Sequence, residues 1–480
     1  MALHLLQYSD VENAFDEPDR VGRLAGGLVS RREALSERGE SALVVGTGDS
    51  FGPGLLALST AGEHALSFFE AVEPVAETLG NHDFDHGPAR ARELVGAAPQ
   101  EYVVANAFEG EGADARRFAA GETVPWTTVE AGEYAVGVVG VASPMTGTMA
   151  PTASELDFRE PLAAAREAVA AVRERGLDAT VVLAHVGEPL GAKLAAELDV
   201  DAVLDGHTHE PCVDVVDGTA YARPGNAAGH FVHATVLAVD GDEAGGSSVP
   251  EPELVATSDQ PMHESLRETV ADAHTDAGLE EVVATVDDPI DCSKAATDRA
   301  ESRVGNLVTD AYRWAADADV AVMTPGGIRT RDALAGDVTV GDLVGLVPFE
   351  GDLVTCEVDG ETLRAVLERT TLHDAFETHR KFGHVSGAQV VWDDVEREFR
   401  AIRVGGEPLE DAASYRVAAT EYFVVTDHLY PELAREHVVD EHGVQYDAIV
   451  AYAREVGVDP TLDGRVERPR IGDAAQVPVE

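Results

Sequence analysis

Lysine is nearly absent from this chain: Lys193, Lys294 and Lys381 are the only three in 480 residues, and arginine supplies the rest of the permanent positive charge. Lys and Arg together number 35 against 88 Asp and Glu, a formal net charge of −53. No basic stripe is left, which excludes binding to a nucleic-acid backbone as a main function. Cysteine is equally scarce. Cys212, Cys292 and Cys356 are odd in number, far apart and in no paired spacing, so a disulfide framework and a cysteine zinc site are both excluded. No apolar run approaches the roughly 18 residues of a membrane span, and no basic, apolar, small-residue leader precedes the first apolar run, Leu3 to Tyr8. The expectation is a soluble, cytoplasmic protein with no membrane partner.

The acids are spread along the whole chain, which argues against a disordered acidic tail. Such a surface suits high salt, where a Debye length of roughly 3 Å at 1 M mutes self-repulsion and the repulsion of an anionic substrate. A halophilic setting is therefore expected. The length allows two to three domains with sizeable cores.

Apolar, β-branched runs alternate with helical spacing through the first half. Leu43 to Gly46, Tyr102 to Ala105, Tyr134 to Val141, Thr180 to Ala184 and Ala202 to Leu204 read as strands, and Val21 to Leu35, Ala61 to Phe69 and Pro161 to Val172 as helices. This alternation implies layered α/β architecture. Short polar clusters stand at the ends of several runs: Asp10, Gly48-Asp49, Gly80-Asn81-His82-Asp83-Phe84-Asp85, His185, and Gly206-His207-Thr208-His209. Carboxylate, amide and imidazole are the donors that hold divalent metals, and strand ends are where sheets of this type carry their sites.

The order and spelling of these clusters resemble the calcineurin-like metallophosphoesterases, and the extended Gly80–Asp85 run resembles the 5′-nucleotidase branch. In the second half, Glu301-Ser302-Arg303-Val304-Gly305-Asn306-Leu307, Gly326-Gly327-Ile328-Arg329 and Pro348-Phe349 are similar to signposts of the 5′-nucleotidase C-terminal domain. The resemblance implies a layered α/β/β/α sandwich over residues 1–258, a connecting helix and linker over 259–282, and an α+β nucleotide-binding domain over 283–480. It also implies two divalent metal ions, one held by Asp10, the residue at 12, Asp49 and His209, the other by Asp49, Asn81, His185 and His207. His82 and Asp85 match the catalytic pair, with Asp83 adjacent. Where the family reads Asp-x-His, this chain reads Asp10-Val11-Glu12. Either Glu12 replaces the histidine, shifting preference toward Mn²⁺ or Mg²⁺ and away from Zn²⁺, or it points away and one metal is weakened or absent; Mn²⁺ is the favoured cation, with Mg²⁺, Zn²⁺ and Co²⁺ the alternatives.

For the substrate, the resemblance assigns Thr324, Gly327 and Arg329 to polar recognition, with Arg331 a second candidate. It assigns Phe349 and Phe423 to stacking on a nucleobase and Asp427 to the loop beyond them. Core packing is the competing reading of each Phe. Thr324 stands where the family often has Asn, and the loop around Asp427 lacks the family's glycines. The implied activity is release of phosphate from 5′-nucleotides, with UDP-sugar hydrolysis and 2′,3′-cyclic phosphodiesterase activity as neighbours. A nucleotide-binding protein with an impaired metal centre, and a sulfur-oxidation-type hydrolase of the same fold, are the alternatives.

Overall fold

The computed structural model describes residues 2–110, 112–237, 250–371, 383–393, 396, 398–426 and 429–468. The chain divides into two units, residues 1–277 and 278–480.

The first unit is built on two sheets. In the seven-stranded sheet, β1 (Leu3–Tyr8), β2 (Ser41–Gly46) and β3 (Ala76–Glu77) run parallel, and His230–Leu237 flanks β1 antiparallel. In the six-stranded sheet, β4 (Tyr134–Ala142), β5 (Ala179–His185) and β6 (Ala202–Leu204) are the parallel centre. Alternate residues of each strand face opposite layers. Leu3 and Leu5 of β1 join Val181 and Leu183 of β5 in the core between the sheets. Leu6 and Tyr8 point the other way, into a core with Phe15, Leu24, Phe68 and Phe69, while Val182 and Ala184 meet Leu162, Val169 and Leu194 of the outer helices. Burial on both faces is why these strands read as continuous apolar runs rather than alternating ones. The result is the α/β/β/α layering that the resemblance implies.

Two local readings change. The expected helix from Ala61 to Phe69 starts only at Ala65 and runs to Val72, and a separate short helix, Leu55–Thr60, precedes it, because Ala61 and Gly62 between them adopt positive φ, +47° and +82°. The helix Glu264–Asp276, read as part of a connector, packs on the first unit. Leu266 and Val270 enter the core around Phe15, and the His274 ring lies 2.8 Å from the Phe15 carbonyl.

The second unit combines a five-stranded sheet, ordered His384–Ser386, Val320–Met323, Ser414–Thr420, Asp352–Asp359, Val438–Val444, with a separate four-stranded sheet and helices Arg303–Ala315, Gly360–Thr371 and Gln445–Glu455. Ser302 caps the first of these helices by accepting from the Gly305 N–H. Among the described residues no helix is long and apolar enough to cross a membrane.

Candidate metal and phosphoester site

The loops leaving the carboxyl ends of β1, β2, β3, β5 and β6 carry the expected ligands, and the parallel strands bring those ends together. Donor atoms of Asp49, His185 and His207 lie within 4.8 Å of one another, as do those of Asp10, Glu12 and His209, and of Glu12, Asp49 and His82. Asp10, Glu12, Asp49 and His207 all have positive φ, between 47° and 70°, a backbone state that non-glycine residues keep only where the surroundings enforce it. The loops also pack closely: a Cβ on Gly80 would stand 2.1 Å from Asp49 Oδ1.

The donor set fits divalent cations. Glu12 Oε1, Asn81 Oδ1 and His185 Nε2 are buried without a hydrogen-bond partner. His185 shows the logic. Its Nδ1 lies 2.7 Å from the Thr47 carbonyl and donates to it, which points Nε2 at Asp49 Oδ2, 3.1 Å away. The pair calls for positive charge: burial alone would lower the imidazole, but the Asp49 carboxylate outweighs it and raises it to about 10, and a cation held between the two would take the place of that proton. His209 Nε2 and Glu12 Oε1 approach to 3.1 Å in the same manner. The protonation pattern agrees. Burial, and next the charge of His185, lower His207 to about 4, so its ring is neutral as a ligand must be. Burial raises Asp10 to about 7, since this many carboxylates cannot all ionise together without a cation.

His82 and Asp85 sit beside this cluster, Nδ1 to Oδ2 at 2.8 Å. The His82 backbone N–H donates to Asp49 Oδ1 at 2.7 Å, which ties the pair to the shared carboxylate. Burial alone would lower the His82 imidazole, but the Asp85 hydrogen bond and the Asp49 charge outweigh it and raise it to about 9. At neutral pH it is imidazolium.

In the second unit, Arg329 is exposed and its guanidinium lies 4.7 Å from the centroid of the half-buried Phe349 ring. Thr324 is buried, and Gly327 packs against Met323 Sδ. Arg331 is engaged elsewhere, holding Asp342 Oδ1 at 2.5 Å and the Gly341 carbonyl at 3.2 Å. Phe423 differs from its expected role. It is only 2 % exposed, with its ring centroid 4.6 Å from that of Tyr430, so no open face remains for a base. Phe423 stands on the short helix Glu421–Val425, whose exposed ring is its neighbour Tyr422, at 41 %. Asp427 lies outside the described residues.

Comparison with known proteins agrees with this fold. Residues 4–211 match the calcineurin-like phosphoesterase family, and residues 282–434 match the 5′-nucleotidase C-terminal domain. A 5′-nucleotidase of Diplobatis ommata is 22% identical over 90% of this chain and 83% of its own length. An apyrase of Tabanus yao is 23% identical over 88% and 85%. The structure of a 5′-nucleotidase precursor from Thermus thermophilus superposes with a TM-score of 0.69 at 23% identity, covering 98% of this chain and 99% of that one, and shares the fold. The chain belongs to the 5′-nucleotidase family of phosphoric-ester hydrolases, in which a calcineurin-like phosphoesterase domain is followed by a 5′-nucleotidase C-terminal domain.

Proposed function

We propose that this hydrolase uses two divalent cations, with Mn²⁺ preferred, to release phosphate from 5′-nucleotides. The observation that carries the reading is the unpartnered Nε2 of His185, buried against Asp49 inside a ring of further carboxylate, amide and imidazole donors. Asp10, Glu12, Asp49 and His209 would hold one cation, and Asp49, Asn81, His185 and His207 the other. When bound, such a pair activates water and neutralises charge on a phosphoryl group. Glu12 lies with Asp10 and His209 rather than away from them, which favours ligand replacement over loss and adds a hard oxygen donor. His82, kept cationic by Asp85, would donate to a phosphate oxygen and steady the charge that develops as the ester bond breaks.

Arg329 would orient the polar part of the nucleotide and Phe349 would stack on its base. Tyr422, as the exposed ring, replaces Phe423 as the candidate for the second face. Thr324 and Gly327 would shape the loop that presents Arg329. The excess of acid on the surface fits work at high salt, where it would not repel a nucleotide. The test is phosphate release from a panel of nucleoside mono-, di- and triphosphates, a UDP-sugar, a 2′,3′-cyclic nucleotide and a small aryl phosphate, in molar salt with Mn²⁺, Mg²⁺, Zn²⁺ or Co²⁺. Cation-dependent release, fastest from nucleotides, is expected. Nucleotide binding without release under any cation would favour the reading of an impaired centre.

A further inference from the structure

Two buried carboxylates near the site are not among its expected ligands, and both are spent on backbone N–H groups of the ligand loops. Asp83, 3 % exposed, accepts four such bonds. Its Oδ2 receives Asp49 N at 3.0 Å and Gly80 N at 2.7 Å, and its Oδ1 receives Ser50 N at 2.9 Å and Phe51 N at 3.0 Å. It therefore joins the loop of Asp49 to that of Asn81. Asp205, fully buried, repeats the device in the other sheet. Its Oδ1 receives Val186 N at 3.1 Å, Gly187 N at 3.2 Å and Gly206 N at 3.0 Å, and its Oδ2 receives the Tyr221 hydroxyl at 3.1 Å. It joins the loop of His185 to that of His207. The Gln7 amide then crosses between the sheets, donating to Thr47 Oγ1 at 2.9 Å and to the Asp205 carbonyl at 2.7 Å.

All four residues of one ligand set, Asp49, Asn81, His185 and His207, thus sit on loops clamped by a buried carboxylate. Of the other set, Asp49 and His209 share those loops, but Asp10 and Glu12 stand on the loop after β1, which neither carboxylate clamps. Asp10 accepts from His207 N at 3.1 Å, and His209 is 48 % exposed with its Nδ1 3.1 Å from the Asn226 amide.

We propose that Asp83 and Asp205 are positioning residues that preform the Asp49–Asn81–His185–His207 position, so that it binds its cation more tightly and releases it more slowly than the Asp10–Glu12–Asp49–His209 position. This rests on the metal-centre reading above. The geometry of each clamp gives an asymmetric expectation. Asn at 205 can put its carbonyl oxygen where Oδ1 stands, keep three backbone bonds and turn its NH₂ to the Tyr221 oxygen. Asn at 83 cannot, because both carboxylate oxygens receive two N–H groups, and an NH₂ would face two donors.

The experiment is Co²⁺ titration of the chelator-stripped full chain, followed by visible absorption and calorimetry, with circular dichroism as the folding control. The unaltered protein should take up two equivalents at separated affinities. Asp83→Asn and Asp205→Ala should each weaken the tighter equivalent about 10–100-fold, the usual effect of removing a group that orients a ligand. Asp205→Asn should restore near-normal binding and the normal cobalt spectrum. Either clamp tests the idea if the other variant does not fold. Two-equivalent uptake with unchanged tight binding in Asp83→Asn and Asp205→Ala would overturn the inference alone, as would Asp205→Asn behaving like Asp205→Ala. No cobalt uptake by the unaltered protein would overturn the metal-centre reading and the inference with it.

Discussion

The candidate sites of the two units are built on opposite principles. In the first unit, nine side chains from distant parts of the sequence converge, five buried, three half-buried and one exposed, on loops that hold four of them at positive φ and are braced by backbone hydrogen bonds. In the second, the candidate patch is a single exposed Arg over a half-buried ring, with a second exposed ring on a short helix. Preorganisation of the first kind is what reaction chemistry needs, since the donors must be in place before charge develops. The second kind suits recognition, where a stacking ring contributes about 1–3 kcal/mol and tolerates small shifts. The difference predicts that damage to the first site stops the reaction and damage to the second changes only which substrates are preferred.

The largest effects should come from the ligands. Asn81→Ala or His207→Ala should abolish phosphate release and reduce bound metal, read by elemental analysis, while the second unit's melting transition stays in place. Next comes His82→Ala. It should keep its metal and lose about 10²–10⁴-fold in kcat, the usual contribution of a positioned acid. Loss of metal in that variant would move His82 among the ligands.

In the second unit, two neighbouring rings sharpen the contrast. Phe349→Ala or Tyr422→Ala should weaken nucleotides by about 1–3 kcal/mol per ring through KM, yet leave a small aryl phosphate nearly untouched. Phe423→Ala should instead cost about 3–5 kcal/mol of stability, as a core truncation does, and impair both substrates together. If Phe423→Ala raises KM for nucleotides alone in a stable protein, the buried placement of that ring is wrong.

Acid should reach both units through buried histidines away from the metal cluster. Burial, then the neighbouring His86 and His274, lower His64 in the first unit to about 3, and burial lowers His384 in the second to about 4. A histidine lowered in the folded state from its ordinary value of 6.5 keeps its full contribution above that pH. The unfolded chain takes up the proton first on acidification, so stability falls from pH 6.5 toward 4. Melting temperatures at pH 7 and pH 5 should show the loss, and His384→Gln should remove the second unit's share. The smallest effect concerns Glu12. Glu12→His should shift the preferred cation toward Zn²⁺, read from competition between Zn²⁺ and Mn²⁺. An unchanged preference there and in Glu12→Ala would put Glu12 outside the cluster.

Much of the first unit is legible in the sequence because strand identity and ligand identity are both local. A β-branched run such as Thr180–Ala184, ending in His185, declares both. What is not local is harder to read. Asp83 reads only as a neighbour of the catalytic pair and Asp205 draws no reading, since a carboxylate serving backbone N–H groups has the same spelling as one serving a metal. The signal for Asp205 was its place directly before Gly206-His207. Tyr422 and Phe423 are adjacent, and about 100° of helix rotation decides which ring faces solvent. The break at Ala61–Gly62 was marked by the glycine, but the apolar spacing on either side concealed it. The helix Glu264–Asp276 is plainly amphipathic, yet its pattern does not say which body it packs on.

On the proposed reading the converged loops of the first unit act through bound cations. The most direct measurement strips the protein with a chelator, confirms by circular dichroism that it remains folded, and follows phosphate release from a nucleotide as Mn²⁺ is added back in known equivalents. The stripped protein should release no phosphate, and activity should return to a plateau at two equivalents. Full activity in the stripped protein, or none at any level of added Mn²⁺, Mg²⁺, Zn²⁺ or Co²⁺, would contradict that reading.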